Sequence, residues 1–144
     1  MVRSIESTAA GLKSVKAIYV NNPFFNFCGF SISAVGNGTA VLELKINAEK
    51  HINHSYNVHG GVIAALIDSS LGVVAAGVGK RVVTSALSIS LLKSLPADSI
   101  VQVHSKIVSD DGQYMAISSE VFAEKKLVAN GTATMVIVGE YKDK

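Results

Sequence analysis

The stretch His51-Ile52-Asn53-His54-Ser55-Tyr56-Asn57-Val58-His59-Gly60-Gly61, followed by Asp68, holds the residues most able to do chemistry. Asp68 is the only charged residue between His59 and Lys80. It stands in a run, residues 60 to about 77, that is apolar on all sides, so the sequence predicts a buried helix. A carboxylate in such a helix must find a partner, take up a proton, or face a cavity. Gly60-Gly61 falls where the helix begins. The first N–H groups of a helix lack intrahelical partners, and glycines leave that end open to a ligand oxygen.

Plainer explanations compete with these. A buried aspartate is often structural, bonded to hydroxyls such as Ser69 or Thr84, and Gly-Gly at a helix start is often only a turn. His51, His54 and His59 have spacings that a metal could use, but no acidic or cysteine ligand accompanies them, so no metal is expected. His59, Asp68 and a nearby serine invite comparison with a catalytic triad. Within one helix, however, the nine residues from His59 to Asp68 span roughly 13 Å. A GxSxG elbow is also absent, and the triad is rejected.

The elements that position these residues follow from periodicity. Ile5, Ala9, Leu12 and Tyr19 recur at helical spacing, predicting an amphipathic helix from residue 4 to about 20, with Pro23 beyond its end. From Phe27 the period changes to two. Phe30, Ile32 and Ala34 alternate with Gly29, Ser31 and Ser33, then the turn Gly36-Asn37-Gly38 leads into Ala40, Leu42, Leu44 and Ile46, a β-hairpin. After the apolar helix the alternation resumes. Val83, Leu87, Ile89 and Leu91 share a face opposite Thr84, Ala86, Ser88 and Ser90. Val101, Val103 and Ile107 oppose Gln102, His104 and Lys106. Asp111-Gly112 turns into Met115, Ile117 and Val121, and a last strand runs from Leu127 to Val138. The order is helix, hairpin, one buried helix, then three or four antiparallel strands. This is an α+β arrangement, a curved antiparallel sheet around one long central helix.

The bulk composition sets the class. With 144 residues, one domain over residues 1–144 is expected. Half the residues are apolar and 17% are charged, enough to fill a core and to leave apolar surface for a subunit interface. A net charge of +2 gives no reason to expect nucleic acid or an anionic membrane as partner. The single cysteine, Cys28, allows no internal disulfide and fits a reducing, cytoplasmic location. The first residues lack the apolar core of a secretory signal. The window Val62–Val78 is short for a membrane span and contains Asp68, which would be costly at mid-bilayer.

The run Asn53-x5-His59-Gly60-Gly61-x6-Asp68, with Thr84 at the start of the next strand, resembles the motif of hotdog-fold acyl-CoA thioesterases of the phenylacetate-degradation type. The resemblance extends from the N-terminal helix to the closing strand. It implies that Gly60 donates its N–H to the thioester oxygen as charge develops there. It implies that Asp68 acts as general base on water, or as nucleophile giving a mixed anhydride. Asn53 would orient the water or the carboxylate, Thr84 would place a hydroxyl near the acid, and His59 would shape the loop and hold the thioester side. Coenzyme A enters as part of the substrate, and no resident cofactor is implied. Ser94-Leu95 stand as two extra residues before Pro96, so no coenzyme-A contact is carried over from that strand's end, Lys93 included.

Gly60 and Asp68 are eight residues apart, about 12 Å along one helix. A thioester carbonyl needs its oxyanion donor and its attacking group both within about 3 Å. Two chains with antiparallel helices can meet that need, so a homodimer, or a dimer of dimers, is expected. A hotdog hydratase or dehydratase and a non-catalytic acyl-CoA-binding domain are the competing readings. Free thiol release from acyl-CoA separates the thioesterase from the binding domain, and adding an enoyl-CoA tests the hydratase or dehydratase.

Overall fold

A computed structural model describes residues 9–141 of the chain. Two short helices, α1 (Ala9–Tyr19) and α2 (Pro23–Cys28), precede the hairpin β1 (Ser31–Gly36) and β2 (Thr39–Lys45). The long helix α3 (Gly60–Ala76) follows, then β3 (Lys80–Leu91), β4 (Ile100–Asp110), β5 (Tyr114–Ala123) and β6 (Lys126–Glu140). All strand pairs are antiparallel, in one six-stranded sheet of order β1-β2-β4-β5-β6-β3. Helix α3 touches all six strands, which requires the sheet to curl around it. This is the hotdog arrangement, and the α+β expectation holds.

The first expected helix is present as α1, while its predicted start at residues 4–8 lies outside the described residues. The hairpin does not begin at Phe27. Residues 23–28 form α2 instead, with Asn22 as N-cap accepting from the Phe25 N–H at 3.0 Å, Pro23 in the first turn, and Gly29 closing it at φ 78°. Capping asparagine, early proline and a left-handed glycine are the ordinary punctuation of a short helix. They outweigh the local alternation.

The core lies between α3 and the inner face of the sheet. Leu66, Ile67, Leu71, Val73 and Val74 meet Leu42, Leu44, Val101, Val103, Met115, Ile117 and Val121, all essentially excluded from solvent. Burial of each such aliphatic side chain contributes roughly 1.5–3 kcal/mol. A chain of three hydroxyls crosses this core. Ser70 Oγ donates to the Ile67 carbonyl at 2.6 Å, which leaves it to accept from Ser105 at 2.6 Å, and Ser105 in turn accepts from Ser119 at 2.7 Å. The chain ties α3 to β4 and β5, and every member is satisfied. Ser105→Ala deletes the middle oxygen and leaves Ser119 without an acceptor and Ser70 without a donor. Denaturant unfolding should show a loss of about 1–3 kcal/mol. A change below about 0.5 kcal/mol, the scale of an ordinary surface substitution, would mean the relay adds nothing to stability.

Candidate active site

Asp68 lies in the third turn of α3. Contrary to the expectation of a helix buried all round, its side is exposed in the single chain. The sheet covers only one side of α3. On the other, Gly61 and Asp68 are exposed, and Ala64, Ala65, Ser69 and Gly72 are half-buried. These positions recur every three or four residues and so form one stripe. Hydropathy marks the stripe as something to be covered. It does not tell whether the cover comes from the same chain.

Asp68 does have a partner. Thr84 Oγ1 donates to Asp68 Oδ1 at 2.8 Å. Strict alternation along β3 would turn Thr84 away from the helix, on the face opposite Val83 and Leu87. The structure corrects this. The β3–β6 register shifts between Thr84 and Ala86, so Thr84 stands opposite Met135 while Leu87 stands opposite Ala133. Met135 and Ala133 are both buried. A bulge at Ser85 therefore puts Thr84 on the same inner face as Leu87, and Val83 turns outward, 51% exposed. Re-aiming one side chain next to a site is a recurrent use of bulges.

The other candidates gather around the start of α3. His59 is its N-cap, with extended backbone at φ −65°, ψ 132°, and its Nδ1 accepts the Gly61 N–H at 2.8 Å. That cap uses the second N–H of the helix. Among the described residues the Gly60 N–H has no partner. Gly60 opens onto a cavity of about 310 Å³ that it lines together with Asn53, Val58, Ile63, Leu91, Lys93 and Leu95. A Cβ at position 60 would come within 2.8 Å of Leu91 Cδ1, so the absence of a side chain lets the wall of the cavity close on the helix end.

Asn53 faces the same cavity but spends its side-chain oxygen on its own loop, accepting from Ser55 N–H at 2.9 Å and Asn57 N–H at 3.2 Å. Its amide nitrogen remains as a donor. Lys93 at the cavity wall is a residue for which the sequence offered no role.

The remaining histidines are placed separately. Buried His51 accepts from the Asn47 N–H on Nδ1 at 2.8 Å, which leaves Nε2 to donate to the Cys28 carbonyl at 2.8 Å. His54 lies exposed in the loop. Among the described residues no three His, Cys, Asp or Glu side chains converge as a metal site.

The five predicted site residues thus form two groups. Gly60, Asn53 and His59 gather at the head of α3. Asp68 and Thr84 lie two turns further on. A carboxylate held by a hydroxyl can activate water or attack a carbonyl, and an unpartnered helix N–H can hold an oxyanion. One chain separates the two functions.

Residues 56–129 match the model of the Thioesterase superfamily. The PaaI protein of the Escherichia coli phenylacetic acid degradation operon superposes with a TM-score of 0.87 at 20% identity, over 94% of this chain and 99% of that one. A mutant of the phenylacetic acid degradation protein PaaI from Thermus thermophilus gives a TM-score of 0.76 at 26% identity, over 80% and 98%. The smu.793 protein of Streptococcus mutans UA159, solved bound to acetyl CoA, gives 0.75 at 27% identity, over 79% and 92%. Half the chain matches the family model, and the hotdog architecture agrees with the structures it superposes on. The chain belongs to the thioesterase superfamily, as a hotdog thioester hydrolase of the PaaI-like type.

Proposed function

We propose that the protein hydrolyses an aromatic or medium-to-long-chain acyl-CoA to the free acid and coenzyme A. The observation that carries this reading is the unpartnered Gly60 N–H at the cavity, two turns from a Thr84-held Asp68 on an uncovered helix face. A second copy of α3 laid antiparallel on that face brings the Gly60 of one subunit to the Asp68 of the other. Each dimer then has two sites. The outer edge of β3, a twelve-residue strand at the end of the sheet, suits the pairing, because a long open edge is a template for another strand.

In such a site water attacks the thioester carbon while Asp68 takes its proton, or Asp68 attacks first and water hydrolyses the resulting anhydride. In both routes the carbonyl oxygen becomes an oxyanion held by the Gly60 N–H. The C–S bond then breaks, and the coenzyme A thiolate leaves and takes up a proton. The Asn53 amide nitrogen is a donor on the Gly60 side, placed to orient water or the incoming carboxylate. Support for coenzyme A as the carrier comes from the acetyl CoA bound to the smu.793 protein. In this reading residues 1–144 act as one cytoplasmic domain with no resident cofactor, metal or nucleic-acid partner. No helix among the described residues is long and apolar enough to cross a membrane.

The test is thiol release from a panel of aromatic and aliphatic acyl-CoAs, before and after dialysis against a chelator. Turnover of at least one class, unchanged by the chelator, is expected. Absence of turnover across the panel would leave a binding domain, and loss on chelation restored by zinc would require a metal mechanism.

A further inference from the structure

We propose that the corner between α1 and α2 docks on an anionic phospholipid surface, its exposed phenylalanines entering the headgroup layer and its lysines meeting the lipid phosphates. Val20, Phe24 and Phe27 are 63%, 56% and 69% exposed, three large apolar side chains within one short stretch of chain. Exposed apolar side chains that cluster in this way mark a contact with something else. Phe24 and Phe27 share one side of α2, three positions apart, while Phe25 turns into the core. Asn26 Nδ2 donates to the Val20 carbonyl at 2.9 Å, which holds the end of α1 against α2.

The charge around this corner is one-sided. Lys13, Lys16 and Val20 recur at intervals of three and four residues, and all three are exposed. The Val20 N–H still donates to the Lys16 carbonyl at 3.0 Å, so they run along one side of α1. On the other flank Lys50 Nζ stands 5.5 Å from the centre of the Phe27 ring and donates to the Phe27 carbonyl at 3.1 Å. The sequence has no acidic residue between Glu6 and Glu43, and Glu49, the neighbour of Lys50, offsets one of the three lysines. A net charge of +2 hides this local excess.

The lysines decide the partner. A second copy laid on the same patch by a two-fold axis would set lysine against lysine, whereas an anionic bilayer reverses the sign. A fluid headgroup layer also receives projecting rings without a matching shape, and phenylalanine with lysine is a usual composition for structures lying in it. Helix α1 packs on β1, at the opposite edge of the sheet from the β3 edge assigned above to the dimer, so the corner stays free in that dimer.

The corner is also bonded to the head of α3. His51 Nε2 donates to the carbonyl of Cys28, the last residue of α2, at 2.8 Å, and the His51 carbonyl accepts the His59 N–H at 2.8 Å. His59 caps α3 where Gly60 opens onto the cavity. Docking therefore brings the cavity end of the molecule to the layer in which a long-chain acyl-CoA, itself an amphiphile, collects. That consequence rests on hydrolysis at Asp68 as set out above, and the docking does not.

The test is co-sedimentation of the full chain with vesicles of phosphatidylserine and phosphatidylcholine in equal parts, against phosphatidylcholine alone. The wild-type protein should bind the anionic vesicles about 10-fold more tightly than the neutral ones, and less tightly as salt rises. Phe24→Ala with Phe27→Ala, and separately Lys13→Gln with Lys16→Gln, should each weaken that binding about 10-fold, with thermal unfolding unchanged. A wild-type protein that does not sediment with the anionic vesicles, or binding that survives both double variants, overturns the proposal. So does a smaller assembly of the phenylalanine variant in gel filtration, which makes the patch a contact between copies. Binding gained only after removal of residues 1–8 overturns it too, since that segment is then the occupant. A protein that docks but hydrolyses no thioester keeps the docking and overturns the reading at Asp68 instead.

Discussion

Asp68→Ala and Asp68→Asn should each cut turnover of the best acyl-CoA by at least about 10²-fold, with folding and assembly unchanged. The asymmetry between activity and stability follows from where the carboxylate lies. It is exposed in the chain, makes one hydrogen bond, and supports no buried network. Substitutions at such positions ordinarily stay within about 0.5 kcal/mol in stability. Asparagine keeps an oxygen for the Thr84 hydroxyl but neither takes a proton from water nor attacks a carbonyl. Steady-state thiol release, with thermal unfolding and gel filtration as controls, checks the result. A folded Asp68→Ala protein with near wild-type turnover would eliminate Asp68 from the mechanism.

The second prediction concerns assembly of the site across two chains. Gly60→Pro deletes the candidate oxyanion donor at the first helical position, where proline removes an N–H that has no intrahelical partner. The backbone is ready for it. Gly60 is not among the glycines with positive φ, and His59 already has the extended conformation that proline imposes on the residue before it. The nearest obstacle is the tip of the Leu91 side chain, which can turn aside. Loss of an oxyanion donor typically costs about 10²–10³-fold in kcat, so this variant, like Asp68→Ala, should be nearly inactive.

Refolded together in equal amounts, half the dimers are hybrids. Each hybrid has one site with the intact Gly60 of one chain and the intact Asp68 of the other, while its second site carries both lesions. Recovery should approach about a quarter of wild-type activity when chains exchange freely and sites act independently. Hybrids isolated by orthogonal tags and found inactive would place the whole site within one chain.

How far the sequence reveals this arrangement depends on the range of the interaction concerned. The period-two runs, the turns at Gly38 and Gly112, and the apolar helix beginning at Gly60 are local patterns, and all appear in the fold. Helix α2 is too short for periodicity to register. Its signals were Asn22, Pro23 and Gly29, which outrank the alternation that begins at Phe27. The bulge at Ser85 is invisible to alternation, because an extra residue in one strand is defined only by the partner strand, here β6. The exposure of Asp68 escapes the sequence for a related reason: hydropathy reports burial without naming the chain that provides it. Asn53, Gly60 and Asp68 were legible as candidates from spacing and residue type. Their division into two groups follows from the length of α3.

The serine relay makes the Asp68 side of α3 answerable to its opposite side. Ser70 is two residues past Asp68 and is anchored through Ser105 to the sheet. A slip of α3 by one residue would carry Asp68 about 1.5 Å along the axis and about 100° around it, out of reach of Thr84. The relay works as an indexing pin, stopping the helix at one angular setting. Conservative changes deep in the β4–β5 core can therefore read out as lost turnover in a protein that still binds its substrate and still melts cooperatively.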